Sequence, residues 1–164
     1  MKILNPIGAA AVMVCVALGL SVTVAAKASS KPFKASIHSV AAPTPTSDPC
    51  VLSNAEVGSA QVTHLGKSTM ESNELVNLCS NPDGADITGQ FTMTAANGDQ
   101  LFGTYDTLGH LDFGNDEVTF SGQFTITGGT GRFQDATGGG SIEGSGTLSP
   151  PFDVFASMNG RVMY

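Results

Sequence analysis

Basic residues are scarce in this chain. Lys and Arg together number 7 against 14 Asp and Glu, and Lys2 and Lys27 both fall in an N-terminal stretch with the marks of a removable leader. Without that stretch, five cations face fourteen anions, a formal net charge of −9. Nucleic-acid binding needs clustered Lys and Arg to displace phosphate counterions, and a polybasic membrane contact needs the same, so the composition excludes both partners. The acidity favours solubility instead. Helical periodicity is missing too. After Cys50, no window of about eleven residues carries apolar side chains at i, i+3, i+4 and i+7 without glycine or β-branched interruption. The chain has no Gly-x-Ser-x-Gly, no His-Glu-x-x-His and no calcium-loop pattern, so hydrolase and metalloenzyme chemistry have no support and no cofactor is expected. Its only cysteines are Cys15, Cys50 and Cys79, without a Cys-x-x-Cys or His-x-His companion, a poor basis for a metal site.

The leader is the first positive signal. Lys2 is the only charge before Lys27, the apolar body runs from Ile7 to Val24, and Ala26-Lys27-Ala28 fits a small-x-small cleavage site. A retained anchor is the competing reading, because this apolar length is near the spanning minimum. The small-residue exit and the Ser/Lys-rich continuation favour removal of residues 1–28 and an exported protein, secreted or periplasmic, with no membrane contact afterwards. Cys15 leaves with the leader. Cys50 and Cys79 then form an even pair in an oxidising compartment, where a disulfide is expected. Residues 29–49, SSKPFKASIHSVAAPTPTSDP, are rich in Pro, Ser, Thr and Ala and have no sustained period. They are expected to form a flexible lead-in, leaving residues 50–164 as one domain.

The stretch from Asp116 to Leu148 organises that domain. Val118, Phe120, Gly122, Phe124 and Ile126 share one phase, with Glu117, Thr119, Ser121, Gln123 and Thr125 in the other. Successive side chains on a strand point to opposite faces, so this is a strand with one apolar and one wet face. Gly128-Gly-Thr-Gly131 breaks the alternation, and Ile142 and Leu148 mark the apolar phase of a second strand. Upstream, Val57–Leu65, Ser68–Leu78, Asp86–Ala96 and Asp99–Thr107 give four more strands, the last two joined by the hairpin signal Asn97-Gly98. Gly109–Asn115 is expected to be a loop, and Val154–Val162 the closing strand after Pro150-Pro151. Seven or eight successive antiparallel strands make a meander. Glycines recur in its apolar phase (Gly89, Gly103, Gly122, Gly144), which implies strong coiling or close approach there. The fold expected is all-β, an antiparallel up-and-down β-barrel of about eight strands, with a two-sheet sandwich as the competitor. Its interior would take Ile87, Phe91, Met93, Leu101, Val118, Phe120, Phe124, Ile126, Ile142 and Leu148.

Ile126-Thr-Gly-Gly-Thr-Gly-Arg-Phe133 followed by Ala136-Thr-Gly138, the closing Pro151-Phe152 and Phe155, and the hairpin from Asn97 through Gly103-Thr-Tyr105 together resemble the allene oxide cyclase and dirigent barrel family. The similarity covers residues 84–164 and is nearest to a secreted bacterial branch with segments like those at His64–Lys67 and Ala95–Leu101. The resemblance implies an eight-stranded barrel, often a homotrimer, that holds a small hydrophobic molecule. The family's cyclases use an early-strand glutamate and its dirigent members use aspartates at the barrel mouth; no residue here aligns with either set.

Candidate site residues follow from phase and position. Glu74 shares a phase with Val76 and Leu78, so an inward carboxyl there is the candidate acid–base group, its pKa raised by desolvation. The bland alternative is a wet-face residue on an imperfectly patterned strand. His64 with Glu71 or Glu74 is a possible pair across neighbouring strands. Tyr105, Phe91, Phe120 and Phe124 are the candidate ligand-binding side chains. The Gly-Gly-Thr-Gly turn lacks the following helix that a phosphate cradle requires, and Arg132 beside Asp135 is expected to pin the reversal to a carboxylate or to strand-end carbonyls. Two functions remain open: a ligand-holding barrel, with or without cyclisation of its ligand, and a structural or interaction module filled by its own side chains.

Overall fold

The computed structural model describes residues 29–82 and 84–164, and the expected leader, residues 1–28, lies outside them. Eight strands follow one another: β1 Lys31–Pro45, β2 Val51–Val62, β3 Gly66–Asn81, β4 Gly84–Ala95, β5 Gln100–Asp112, β6 Glu117–Gly129, β7 Thr137–Thr147 and β8 Asp153–Met163. Each pairs antiparallel with its sequence neighbours, and β8 returns to β1, closing the barrel. Closure leaves no unpaired edge for another chain to extend. The up-and-down barrel is the fold; the sandwich is not.

The first strand corrects an expectation. Residues 31–45 are not a flexible lead-in but a barrel stave, paired with β2 from Ala35↔Val62 to Pro45↔Leu52 and with β8 from Lys31↔Val162 to Val40↔Asp153. Phe33, Ala35, Ile37, Ser39 and Ala41 point inward and are buried. Pro43 and Pro45 lie past the last β8 partner, so their missing N–H groups cost that ladder nothing. Two further boundaries move. Strand β2 begins at Val51 rather than Val57, and β5 runs on to Asp112, so the expected loop at residues 109–115 shrinks to a turn at residues 113–116.

The two ends of the barrel differ. At one end the Gly128–Gly131 reversal leads into a 3-10 turn, Gly131–Phe133, that folds beneath the strands. Phe133 is fully buried and meets Tyr164 edge-on at 4.8 Å between centroids. Arg132 pins this plug, donating to the His64 carbonyl and facing Asp99 at 3.8 Å; its carboxylate partner is Asp99 rather than the neighbouring Asp135. Above the plug, Phe124 packs on Phe33 at 5.4 Å. In register, Gly140 and Gly160 stand between these two rings, and a Cβ on either would strike the backbone of the other's strand. Leu65, Leu101, Ile126 and Val162 complete a dry floor. Full burial of such side chains contributes about 1.5–3 kcal/mol each, so this end carries much of the barrel's stability.

The opposite end is looser. It holds the connections 46–50, 113–116 and 148–152, and the Cys50–Cys79 disulfide ties the first of them to the end of β3 across a Cα separation of 5.4 Å. That bridge, in agreement with the expected pairing, fits a non-reducing environment.

Candidate functional site

Above the floor the barrel is hollow. A cavity of about 300 Å³ opens toward the looser end, at the lower limit of ligand pockets in general. Its walls are mostly apolar, with Ile87, Phe91, Met93, Phe120, Ala156 and Met158 among them, and Leu111, Phe113, Leu148 and Phe152 stand near the mouth. Phe113 is 80% exposed there.

Glycine placement explains how aromatic rings and a cavity coexist. Gly89 pairs with Tyr105, Gly103 with Phe91 and Gly144 with Phe120, and in each pair a Cβ on the glycine would collide with the aromatic ring. Each ring therefore lies flat along the wall over a neighbouring glycine. A ring that stood off the wall would fill the lumen. Of the sequence candidates, Tyr105, Phe91 and Phe120 line the cavity, whereas Phe124 does not: it belongs to the floor, held by Phe33.

One sector of the wall is polar. Strand β2 supplies Asn54 and Glu56, β3 supplies Ser72 and Glu74, and the register sets Asn54 opposite Glu74 and Glu56 opposite Ser72. The inward phase of these strands carries the group into the barrel. Glu74 is the centre of the network. It accepts from Asn54 Nδ2 at 2.6 Å and from the Tyr105 hydroxyl at 2.5 Å, the tyrosine reaching it over Gly89. Glu56 accepts from Ser39 Oγ at 2.9 Å. Burial pushes the Glu56 carboxyl up to about 7, the charge of nearby Glu74 adds to the effect, and the Ser39 hydrogen bond opposes it. Burial likewise raises the Tyr105 phenol, with Glu74 adding to it, so Tyr105 remains a proton donor to Glu74 across neutral pH.

Two buried atoms that line the cavity have no hydrogen-bond partner, Asn54 Oδ1 and Thr107 Oγ1, whereas the Ser72 hydroxyl lies against Glu56 and Tyr105. Leaving a buried polar atom unpaired costs about 1–3 kcal/mol, so these atoms stand out in an otherwise well-paired barrel.

Glu74 thus lies where its phase put it, facing the interior, and the wet-face alternative is set aside. His64 forms no pair with it. Its ring sits at the plugged end, bonded to the Pro32 carbonyl at 2.9 Å, and Glu71 faces out to solvent. Sequence reasoning missed Ser39, Asn54, Glu56, Ser72 and Thr107. The signal available was a carboxylate and an amide in the same phase as Ala60 and Val62, apolar residues further along β2. Comparisons with protein-family models, with curated proteins and with solved structures give no match to this chain.

Proposed function

We propose that this protein is an exported barrel that binds one small hydrophobic molecule, with the molecule's polar group seated on the Glu56–Glu74–Tyr105 sector. The observation that carries this reading is an open, apolar-walled cavity whose single polar sector holds buried atoms with unmet hydrogen bonds. A structural module filled by its own side chains, the alternative from sequence, has no use for either feature. The resemblance to the allene oxide cyclase and dirigent family supports the ligand-holding reading and also proposes a homotrimer, which light scattering would check. Export rests on the leader-like N-terminus, and the disulfide is compatible with it.

A second reading adds turnover, and Glu56 is the observation in its favour. A carboxyl that titrates near 7 can take or give a proton at neutral pH, the property an acid–base group needs. Cyclisation of a bound ligand is the reaction class the resemblance favours.

The test is native mass spectrometry of protein isolated from its own host. The expected result is a co-purifying apolar mass, or uptake of added octanol, that is lost in Ala156→Phe, which adds a ring to the cavity wall. The variant must still melt cooperatively. Wild-type protein that carries nothing and takes up neither octanol nor its amine or acid analogue would overturn the reading.

A further inference from the structure

The cavity is unbalanced in charge and in hydrogen bonding, and both imbalances have one remedy. Glu56 and Glu74 face it together, and no Lys, Arg or His is among its described lining residues. Asn54 and Thr107, only 8% and 3% exposed, line the same space and leave Asn54 Oδ1 and Thr107 Oγ1 unpartnered. The orientation of Asn54 is set, because its Nδ2 is committed to Glu74. Its oxygen is therefore an acceptor with no donor. Carboxylates in a low-dielectric interior need a counter-charge or a proton, and the protein supplies no counter-charge there.

We propose that the molecule this cavity takes is an apolar amine, its protonated nitrogen held by Glu56, Glu74 and Asn54 and its hydrocarbon body against Ile87, Phe91, Phe120 and Met158. The inference rests on the ligand-holding reading above and names its ligand class. An ammonium group brings three donors and no acceptor, which suits the two carboxylates and the unpaired Asn54 Oδ1, and its single charge offsets one of the two carboxylate charges. A neutral alcohol brings one donor and no charge. A fatty acid would add a third carboxyl beside two, the arrangement that like-charge repulsion disfavours.

The approach to the cavity selects the same way. Asp48, Asp112, Asp116, Glu117 and Asp153 lie at the strand ends and turns of the open end. Every Lys and Arg among the described residues lies toward the plugged end. Lys31 and Lys34 begin β1, Lys67 begins β3, Arg132 is in the plug, and Arg161 is near the end of β8. Charge separated along the axis in this way concentrates cations at the mouth and repels anions, an effect that weakens as salt is added.

Calorimetric titration of the isolated protein with octylamine, octanol and octanoic acid tests the proposal. At about pH 8, octylamine should bind at least about tenfold tighter than octanol, with octanoic acid weakest. Its affinity should fall toward about pH 5, where the alkylammonium is unchanged but Glu56 takes up a proton. The groups facing Glu56 are Ser39 from β1, Ser72 and Glu74 from β3 and Tyr105 from β5, and the only other carboxyl among them is Glu74. Glu56→Gln should remove the preference for the amine while octanol binding persists. Octanol binding as tightly as octylamine, or an amine preference unchanged in both Glu56→Gln and Glu74→Gln, overturns the amine assignment and leaves the cavity reading standing. If none of the three probes binds, both readings fall together.

Discussion

Replacing Glu56 by Gln should make the barrel more stable above neutral pH and nearly unchanged in mild acid. The unfolded chain releases this proton at the ordinary value of 4.5, while the folded chain holds it to about 7. A raised folded value means that stability is present below 4.5 and is lost as pH climbs to about 7, because the unfolded state ionises first. Each pKa unit is about 1.4 kcal/mol, so ionising Glu56 in place costs about 3 kcal/mol above pH 7. Glutamine matches the protonated carboxyl in shape and can still accept from Ser39 Oγ. Urea unfolding followed by circular dichroism reads the effect. With a slope of about 1–3 kcal/mol per molar, the variant's midpoint should exceed the wild type's by roughly 1–3 M at about pH 8 and by little at about pH 5. A gap that does not change with pH, or a variant less stable at pH 8, would refute the burial of Glu56 against Glu74.

Three other substitutions probe the frame. Phe124→Asp puts a charge into the floor against Phe33, losing about 1.5–3 kcal/mol of apolar burial and adding a larger desolvation cost, so the domain should not fold; a soluble, cooperatively melting variant would contradict the packing. Cys50→Ser with Cys79→Ser removes a bridge spanning a sequence separation of 29 and should lower stability by ~3–4 kcal/mol, with the melting of the double variant no longer sensitive to reductant. Gly131→Val combines a left-handed backbone, φ +57°, with a Cβ that would strike the Asp99 carboxylate. It should cost at least about 1–3 kcal/mol, and a thermal melt at the wild-type temperature would show the plug is not built this way.

Most of the barrel was legible because its cues are local. The alternation around Phe120 and Phe124, the Asn97-Gly98 hairpin and the even pair of cysteines each depend on residues near one another in the chain. Every expected interior residue does face inward, Val118, Phe120 and Leu148 into the cavity and the rest into wall or floor. Strand β1 escaped notice although Phe33, Ala35, Ile37, Ser39 and Ala41 do alternate. Alanine and serine weaken the apolar signal, Val40 puts an apolar residue on the outer face, and the pairing that orders half of β1 comes from β8, over a hundred residues away.

The sequence by itself determined the class of fold and the facing of the strongly alternating strands, since a period of two leaves a strand residue only two choices; for Glu74 it left both faces open, and the structure turned it inward. Which inward residues meet was a matter for the closed sheet. Register across β1 to β5 set Asn54 beside Glu74, laid Tyr105 over Gly89 and brought Glu56 within reach of Ser39. The same closure separated Phe124 into the floor and kept Phe120 in the cavity. These outcomes depend on stagger and curvature summed over strands distant in sequence, and no local pattern carries that sum.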